Sequence, residues 1–328
     1  MALEDLLRIV DEDADGIDTA FREQVLAGLS QRQKAIPARW FYDEEGSRLF
    51  EAITELPEYY PTRAETEILS TRGAEFADLI GPGRAVIEFG SGSSVKTPHL
   101  LRAIDPAAYV PIDISGDFLR ESAAVLSADF PGLPVYPLEA DFTKAAELPS
   151  QVLDLPKLGF FPGSTIGNLV PPSAVDLLRS MRATLGDGAH LLIGMDRLKD
   201  EETLVCAYDD AAGVTAAFNL NLIDRINREL DGTLPREAFA HVARWNDVLA
   251  RIEMRLLARR DLDFSVAGQS FAMREGETIH TENSHKYDPR GATMLLLAGG
   301  WTPLQSWTDP GERFSVVLAQ ASELRTAP

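Results

Sequence analysis

Between Ala85 and about Met195, short apolar runs alternate with stretches whose apolar residues recur at helical spacing. The runs Ala85–Phe89, Tyr109–Ile112, Val135–Ala140, Leu158–Phe161 and His190–Met195 read as buried strands. Helices are expected between them, as around Phe118–Leu126 and Val175–Thr184. That alternation predicts an α/β chain with a parallel, right-handed, doubly wound sheet.

The flanks read differently. Residues 1 to about 15 look like a frayed acidic leader, and Phe21–Leu29 a short amphipathic helix. After the aromatic and proline-dense Lys34–Asp43, the stretch Glu51–Leu56 continues as helix until Pro57 stops it. Pro57–Arg63 is a rigid loop, and Thr62 is placed to cap a helix from about Arg63 to Leu79, with Glu65 in its first turn. Its tyrosines, Tyr59 and Tyr60, can be packing residues or part of a lid over a site.

Beyond Asp196 the alternation breaks. Glu202–Leu230 is a long helical stretch interrupted near Gly213, apolar at Leu204, Tyr208, Ala211, Phe218, Leu222 and Ile226. Phe239–Trp245, Arg251–Leu256 and Leu262–Val266 alternate polar with apolar, as strands half exposed on one face do. An insertion of this size reads as a substrate-binding subdomain. The sheet then resumes: a helix from near Tyr287 or Pro289, a strand at Trp301–Trp307, a turn at Asp309-Pro310-Gly311 and a last antiparallel strand at Phe314–Ala319. The expected division is an N-terminal helical segment and lid (1–62), a core (63–196), the insertion (197–286) and the return to the core sheet (287–328).

Composition narrows the function. With 328 residues the chain holds one large or two coupled domains. A single cysteine, Cys206, excludes an intramolecular disulfide and a Cys-based metal site; its helical setting reads as a small core residue. The five histidines show no metal-ligand spacing, so no metal is expected. A net charge of −20 repels phosphate backbones and anionic membranes, which argues against nucleic-acid or membrane partners and suits a small zwitterionic or partly cationic substrate. The acidic start has no signal pattern and no apolar run reaches a membrane span, so a cytoplasmic protein is expected, and a monomer.

The candidate chemistry begins where the first core strand ends. Arg84–Thr97 reads RAVIEFGSGSSVKT, a strand closing on Glu88 and running into Gly90-Ser91-Gly92-Ser93-Ser94. Glycines there let the backbone approach a ligand at a strand's carboxyl end. The spacing E-x-G-x-G-x-S is neither the dinucleotide fingerprint nor a Walker loop. Val110–Asp113 then ends in a carboxylate placed for ribose hydroxyls, and Leu138–Phe142 offers Asp141 and Phe142, an acid for an adenine amine and a ring to stack on it. Taken singly these are also ordinary turn glycines and capping acids. In register, strand and glycine turn, strand and Asp, strand and Asp-Phe resemble class I S-adenosylmethionine-dependent methyltransferases, which implies a Rossmann-like fold with a second, smaller substrate-binding subdomain.

Six further blocks are more specific: WFYDEEGSRLF (Trp40–Phe50), LPEYYPTRAE (Leu56–Glu65), GSTIGNL (Gly163–Leu169), AYDDAAGVTAAFN (Ala207–Asn219), RIEM (Arg251–Met254) and HTENSHKY (His280–Tyr287). From about residue 20 to the carboxyl terminus they closely resemble the histidine-specific Nα-methyltransferases of ergothioneine biosynthesis, which trimethylate L-histidine to hercynine.

The resemblance implies roles residue by residue. Asn168 and Tyr208 match positions that hold the substrate carboxylate, and Gly163 one that meets the amino end by backbone. Glu282 and Ser284 match the pair that reads the imidazole, with Met254 a wall of its pocket; in a strand, positions 282 and 284 face the same way. Tyr42, Phe50 and Tyr59 match aromatic positions around the cofactor and the substrate amine. Gly90, Ser91, Gly92 and Lys96 match the turn holding the methionine moiety, Asp113 the ribose acid, and Asp141 with Phe142 the adenine site. Tyr59 and Gly163 are the expected catalytic positions, and His285 reads as a solvent-facing side chain. The rivals are the same fold acting on another aromatic amino acid and a cofactor-binding module without turnover.

Overall fold

The computed structural model describes residues 18–92, 96–114 and 116–322. The expected acidic leader lies outside them. The chain divides into two compact units: Met1–Tyr60 with Lys199–His285, and Pro61–Leu198 with Lys286–Pro328.

In the second unit a seven-stranded sheet runs in the order Trp301–Thr308, Phe314–Ala321, His190–Asp196, Lys157–Phe161, Ala85–Phe89, Ala108–Asp113, Leu138–Glu139. The five strands from Leu138–Glu139 to His190–Asp196 pair in parallel, and Phe314–Ala321 joins antiparallel to both its neighbours. The chain leaves Ala85–Phe89 toward one edge and returns on its other side at Lys157–Phe161. Between these two strands the strand order reverses, which is where open α/β sheets bind ligands. Ala85–Phe89 is buried at every position, as the apolar run requires.

Two expectations are corrected here. The strand expected at Val135–Ala140 is only Leu138–Glu139, with a single bridge from Val135 to Tyr109, because Pro134 and Pro137 have no N–H to donate to a ladder. The helix expected over 63–79, capped by Thr62, is instead Tyr60–Thr71 followed by Gly73–Ile80. It starts at Tyr60, so Tyr60 opens a helix and Tyr59 directly precedes it, both buried, where a rigid loop was expected. The break falls at Arg72, and the second helix opens on Gly73, where a Cβ would lie 3.1 Å from that of Ala103 on the neighbouring helix Thr97–Ile104.

The first unit is built on a four-stranded sheet in the order Lys34–Ala35, Thr278–His285, Arg251–Ala258, Phe239–Asn246, with a separate hairpin of Leu262–Val266 and Gln269–Met273. Helix Val214–Glu229 buries Phe218, Leu222, Ile223 and Ile226 in the same core as Ile252, Met254 and Leu256. The interruption foreseen near Gly213 is sharp: the Asp210 carboxylate accepts the Val214 and Thr215 N–H groups and starts a new helix. Ala211 and Cys206 are exposed, contrary to their reading as core positions, since one lies in the connection and the other at the last residue of helix Glu201–Cys206. Arg251–Ala258 is not half exposed either. Its alternate charged residues, Glu253 and Arg255, are buried in an ion-pair cluster.

Candidate active site

The two units carry separate sets of the expected residues. In the second unit, Gly90 and Gly92 follow strand Ala85–Phe89 with φ of 68° and 48°. The N–H groups of Gly90 and Ser91 both donate to the Ile112 carbonyl, at 2.8 and 3.2 Å, which folds the turn over the next strand. Gly92 N–H donates to Asp113 Oδ2 at 3.2 Å, so the expected ribose acid is drawn onto the glycine turn. A Cβ on Gly90 would lie 3.2 Å from the Phe142 ring. Gly90, Ser91, Gly92, Asp113 and Phe142 are therefore brought together at the carboxyl ends of neighbouring parallel strands. Asp141 is more committed: it accepts from the Thr143 N–H at 3.0 Å and hydroxyl at 2.5 Å. Burial pushes its carboxyl up, but those Thr143 bonds and Lys144 outweigh burial and hold it below the usual range.

Glu88, which opens the glycine motif, is buried beneath the turn. The Thr97 hydroxyl donates to it at 2.7 Å and the Tyr109 hydroxyl at 2.5 Å. Desolvation nonetheless dominates and pushes its carboxyl up to about 7.

Across the point of strand reversal, Phe161 leads into Pro162–Asn168. Gly163 has φ 81° and Ser164 φ 56°, a conformation costly for a side-chain-bearing residue. The strain is held by the Ser164 hydroxyl, which accepts the Asp196 N–H at 2.8 Å, and by Gly167 N–H donating to the Ser164 carbonyl at 2.8 Å. Asn168 ends the short helical turn Thr165–Asn168 and is half-buried. Gly163 N–H donates to Glu65 Oε2 at 2.8 Å, and Lys96 Nζ lies 2.5 Å from the same oxygen.

In the first unit, strand Thr278–His285 carries a bulge between His280 and Glu282, after which Glu282 pairs with Met254 and Ser284 with Ile252. Paired residues of an antiparallel ladder point to one side, so Glu282, Met254 and Ser284 share a face. The Ser284 and Tyr208 hydroxyls are 2.7 Å apart. Tyr59 and Tyr208 have ring centroids 6.1 Å apart, Phe50 and Tyr59 6.3 Å, and Tyr42 and Phe50 5.6 Å. Tyr42 exposes 42% of its surface, yet its phenol is held well above the ordinary value. Desolvation is the main cause, followed by the negative charge of Glu282 and then Tyr59 and Tyr208. Tyr42, Phe50, Tyr59, Tyr208, Met254, Glu282 and Ser284, scattered over more than two hundred residues, thus form one cluster. Asp43 anchors it from the neighbouring position: it caps helix Glu44–Thr54 through Gly46 N–H and accepts from Asn221 at 2.7 Å and Arg228 at 2.6 Å.

Three members of the supporting set escaped the sequence. Phe218, read only as a helical apolar position, lies 5.8 Å from Tyr42 and 6.1 Å from Phe50 by ring centroids. Asn219, fully buried, takes the Thr281 hydroxyl on Oδ1 and donates to His241 Nδ1, both at 2.8 Å. His241 Nε2 then donates to the Tyr208 carbonyl at 2.8 Å, which fixes a neutral imidazole; burial lowers its basicity to match. The network ties the bulge before Glu282 to the backbone of Tyr208. His285, expected in solvent, is buried.

The sheet order and the glycine turn at its point of reversal are those of a doubly wound, Rossmann-like α/β enzyme core. The chain matches the model of the "Histidine-specific methyltransferase, SAM-dependent" family over residues 21–321 and belongs to that family. It is 41% identical over 316 residues to a histidine N-alpha-methyltransferase of Mycolicibacterium smegmatis, covering 93% of this chain and 96% of that protein. The corresponding protein of Mycobacterium tuberculosis is 39% identical over 310 residues, with 92% and 94% covered. A 4-dimethylallyltryptophan N-methyltransferase of Claviceps fusiformis is 27% identical over 320 residues, covering 90% of each chain. The protein is therefore an enzyme that uses S-adenosylmethionine and acts on a small molecule.

Proposed function

We propose that the enzyme methylates the α-amine of L-histidine three times to give hercynine, the first step toward ergothioneine, as a cytoplasmic monomer. The observation that carries this reading is the grouping of Glu282, Ser284 and Met254 on one sheet face, with the Tyr208 hydroxyl against that of Ser284. A carboxylate accepts an imidazole N–H, and a hydroxyl can donate to or accept from the other ring nitrogen. Asn168 and Tyr208 are the proposed donors to the substrate carboxylate, and Gly163 meets the amino end through its backbone.

The second unit's residues fit the cofactor. Asp113 suits a ribose diol, Phe142 a purine face, and Lys96 a carboxylate, while Gly90 leaves space that a Cβ would take beside Phe142. Asp141 serves the adenine amine only with the acceptor capacity left by Thr143. When bound, the cofactor supplies an activated methyl group. The protein's part is orientation and electrostatics. A free α-amine is mostly protonated near neutral pH, with a pKa of about 8. The site selects the neutral amine, or passes its proton through Tyr59 or Tyr208 to water. Each methylation moves the nitrogen toward a fixed positive charge, which the faces of Tyr42, Phe50 and Tyr59 favour by about 0.5–2 kcal/mol per contact.

The relative acting on a tryptophan derivative supports a second reading, another aromatic amino acid as substrate. Glu282 with Ser284 favours histidine, since an indole offers one N–H and no second ring nitrogen. Fragmentation mass spectrometry of the product from histidine and S-adenosylmethionine is expected to place all three methyl groups on the α-nitrogen. Methyl groups on the ring would contradict the proposed orientation.

A further inference from the structure

Four elements of the second unit converge on one carboxylate. Glu65, on helix Tyr60–Thr71, is fully buried. Its Oε2 lies 2.5 Å from Lys96 Nζ, beside the glycine turn, and accepts the Gly163 N–H at 2.8 Å. Its Oε1 faces strand His190–Asp196 at Gly194, where a Cβ would lie 2.1 Å from that oxygen. Gly194 thus leaves room for the carboxylate. A Cβ on Gly163 would lie 3.9 Å from Lys96 Nζ, so the lysine and the loop are neighbours as well as co-ligands.

We propose that Glu65 is a positioning residue that holds Lys96 and Gly163 in place for the amino-acid end of the cofactor. A lysine is a point charge on a flexible four-carbon stem, and fixing it costs rotamer freedom. The Glu65 carboxylate meets that cost before ligand arrives, and two further Lys96 N–H groups remain to donate. The same oxygen fixes the Gly163 amide, which stabilises the loop's left-handed turn. One buried anion therefore sets the geometry of the cofactor turn and of the loop that ends in Asn168. The inference rests on the proposed role of Lys96 toward the cofactor's carboxylate.

Calorimetric titrations with S-adenosylhomocysteine and with 5′-methylthioadenosine, which lacks the amino-acid end, separate the possibilities. For Glu65→Gln, affinity for S-adenosylhomocysteine is expected to fall about tenfold while that for 5′-methylthioadenosine stays put, roughly the loss of one charge-assisted bond. Lys96→Met should lower the same ratio. Gly194→Ala, which displaces the carboxylate but leaves its charge, should reproduce the Glu65→Gln result and serves in its place should that variant not fold. An equal loss for both ligands would make Glu65 a fold residue only and overturn the inference. If Lys96→Met lowers the ratio and neither Glu65→Gln nor Gly194→Ala does, the inference fails while the Lys96 role stands. If Lys96→Met leaves the ratio intact, the Lys96 role fails and takes the inference with it.

Discussion

Replacing Glu282 by Ala is expected to lower kcat/KM for histidine by about 10–150-fold, the worth of a hydrogen bond to a charged group at roughly 1.5–3 kcal/mol. Glu282 is the charged acceptor on the face it shares with Met254 and Ser284. Its negative charge reaches the Tyr42 phenol, so it bears on the aromatic cluster as well as on the ladder. Without it an imidazole N–H would enter the cluster unpaired. An indole or phenol loses less, so discrimination against tryptophan and tyrosine should fall in parallel. Glu282→Gln keeps an acceptor oxygen without the charge and should lie between. Binding of S-adenosylhomocysteine should fall far less than histidine turnover, because the glycine turn, Lys96, Asp113, Asp141 and Phe142 belong to the other unit. Competition kinetics with the three amino acids measure this directly, and undiminished histidine selectivity in Glu282→Ala would remove the imidazole role.

The second large effect concerns stability. Glu253, on the strand that carries Met254, is bound by Arg251 at 2.7 Å, Arg255 at 2.7 Å, Arg244 at 2.9 Å and Asn246 at 2.9 Å. Removing one partner of a buried ion cluster leaves uncompensated charge and costs about 3–5 kcal/mol. Glu253→Ala should destabilise the protein by that amount in denaturant titrations near neutral pH. Burial raises this carboxyl, but the hydrogen bonds from Arg251, Arg255, Arg244 and Asn246 outweigh burial and hold it well below the ordinary 4.5. As pH falls below that value the unfolded chain binds the proton first. Stability present above about pH 4.5 is then lost in acid. The variant lacks this term, so its gap from the natural protein should narrow as pH drops. A loss under about 1 kcal/mol, or a gap independent of pH, would show that the cluster contributes little.

The sequence made the core legible because parallel strands buried on both faces leave continuous apolar runs. Ala85–Phe89 has the expected bounds, and His190–Asp196 runs one residue past them. It misjudged elements governed by local backbone: the prolines at 134 and 137 cut a strand to two residues, and a break at Arg72 divides a helix that periodicity alone would continue. The candidate site residues were proposed from motif blocks. What could not be read was how they are held. Glu65 looked like a first-turn acid, and only the fold brings it to Gly163, ninety-eight positions away. Asn219 and His241 sit on a helix and a strand whose local patterns say nothing of a shared hydrogen bond. Glu253 and Arg255 were read as a half-exposed face because alternation cannot distinguish water from the charges of a paired strand, here Arg244 on Phe239–Asn246.

The most direct measurement is mass spectrometry of all twenty amino acids offered together with the purified enzyme and S-adenosylmethionine. Histidine alone should gain up to three methyl groups, with S-adenosylhomocysteine formed in step. Methylation of tryptophan or tyrosine in preference to histidine would contradict the proposed imidazole site, and cofactor binding with no amino acid consumed would contradict the proposed reaction.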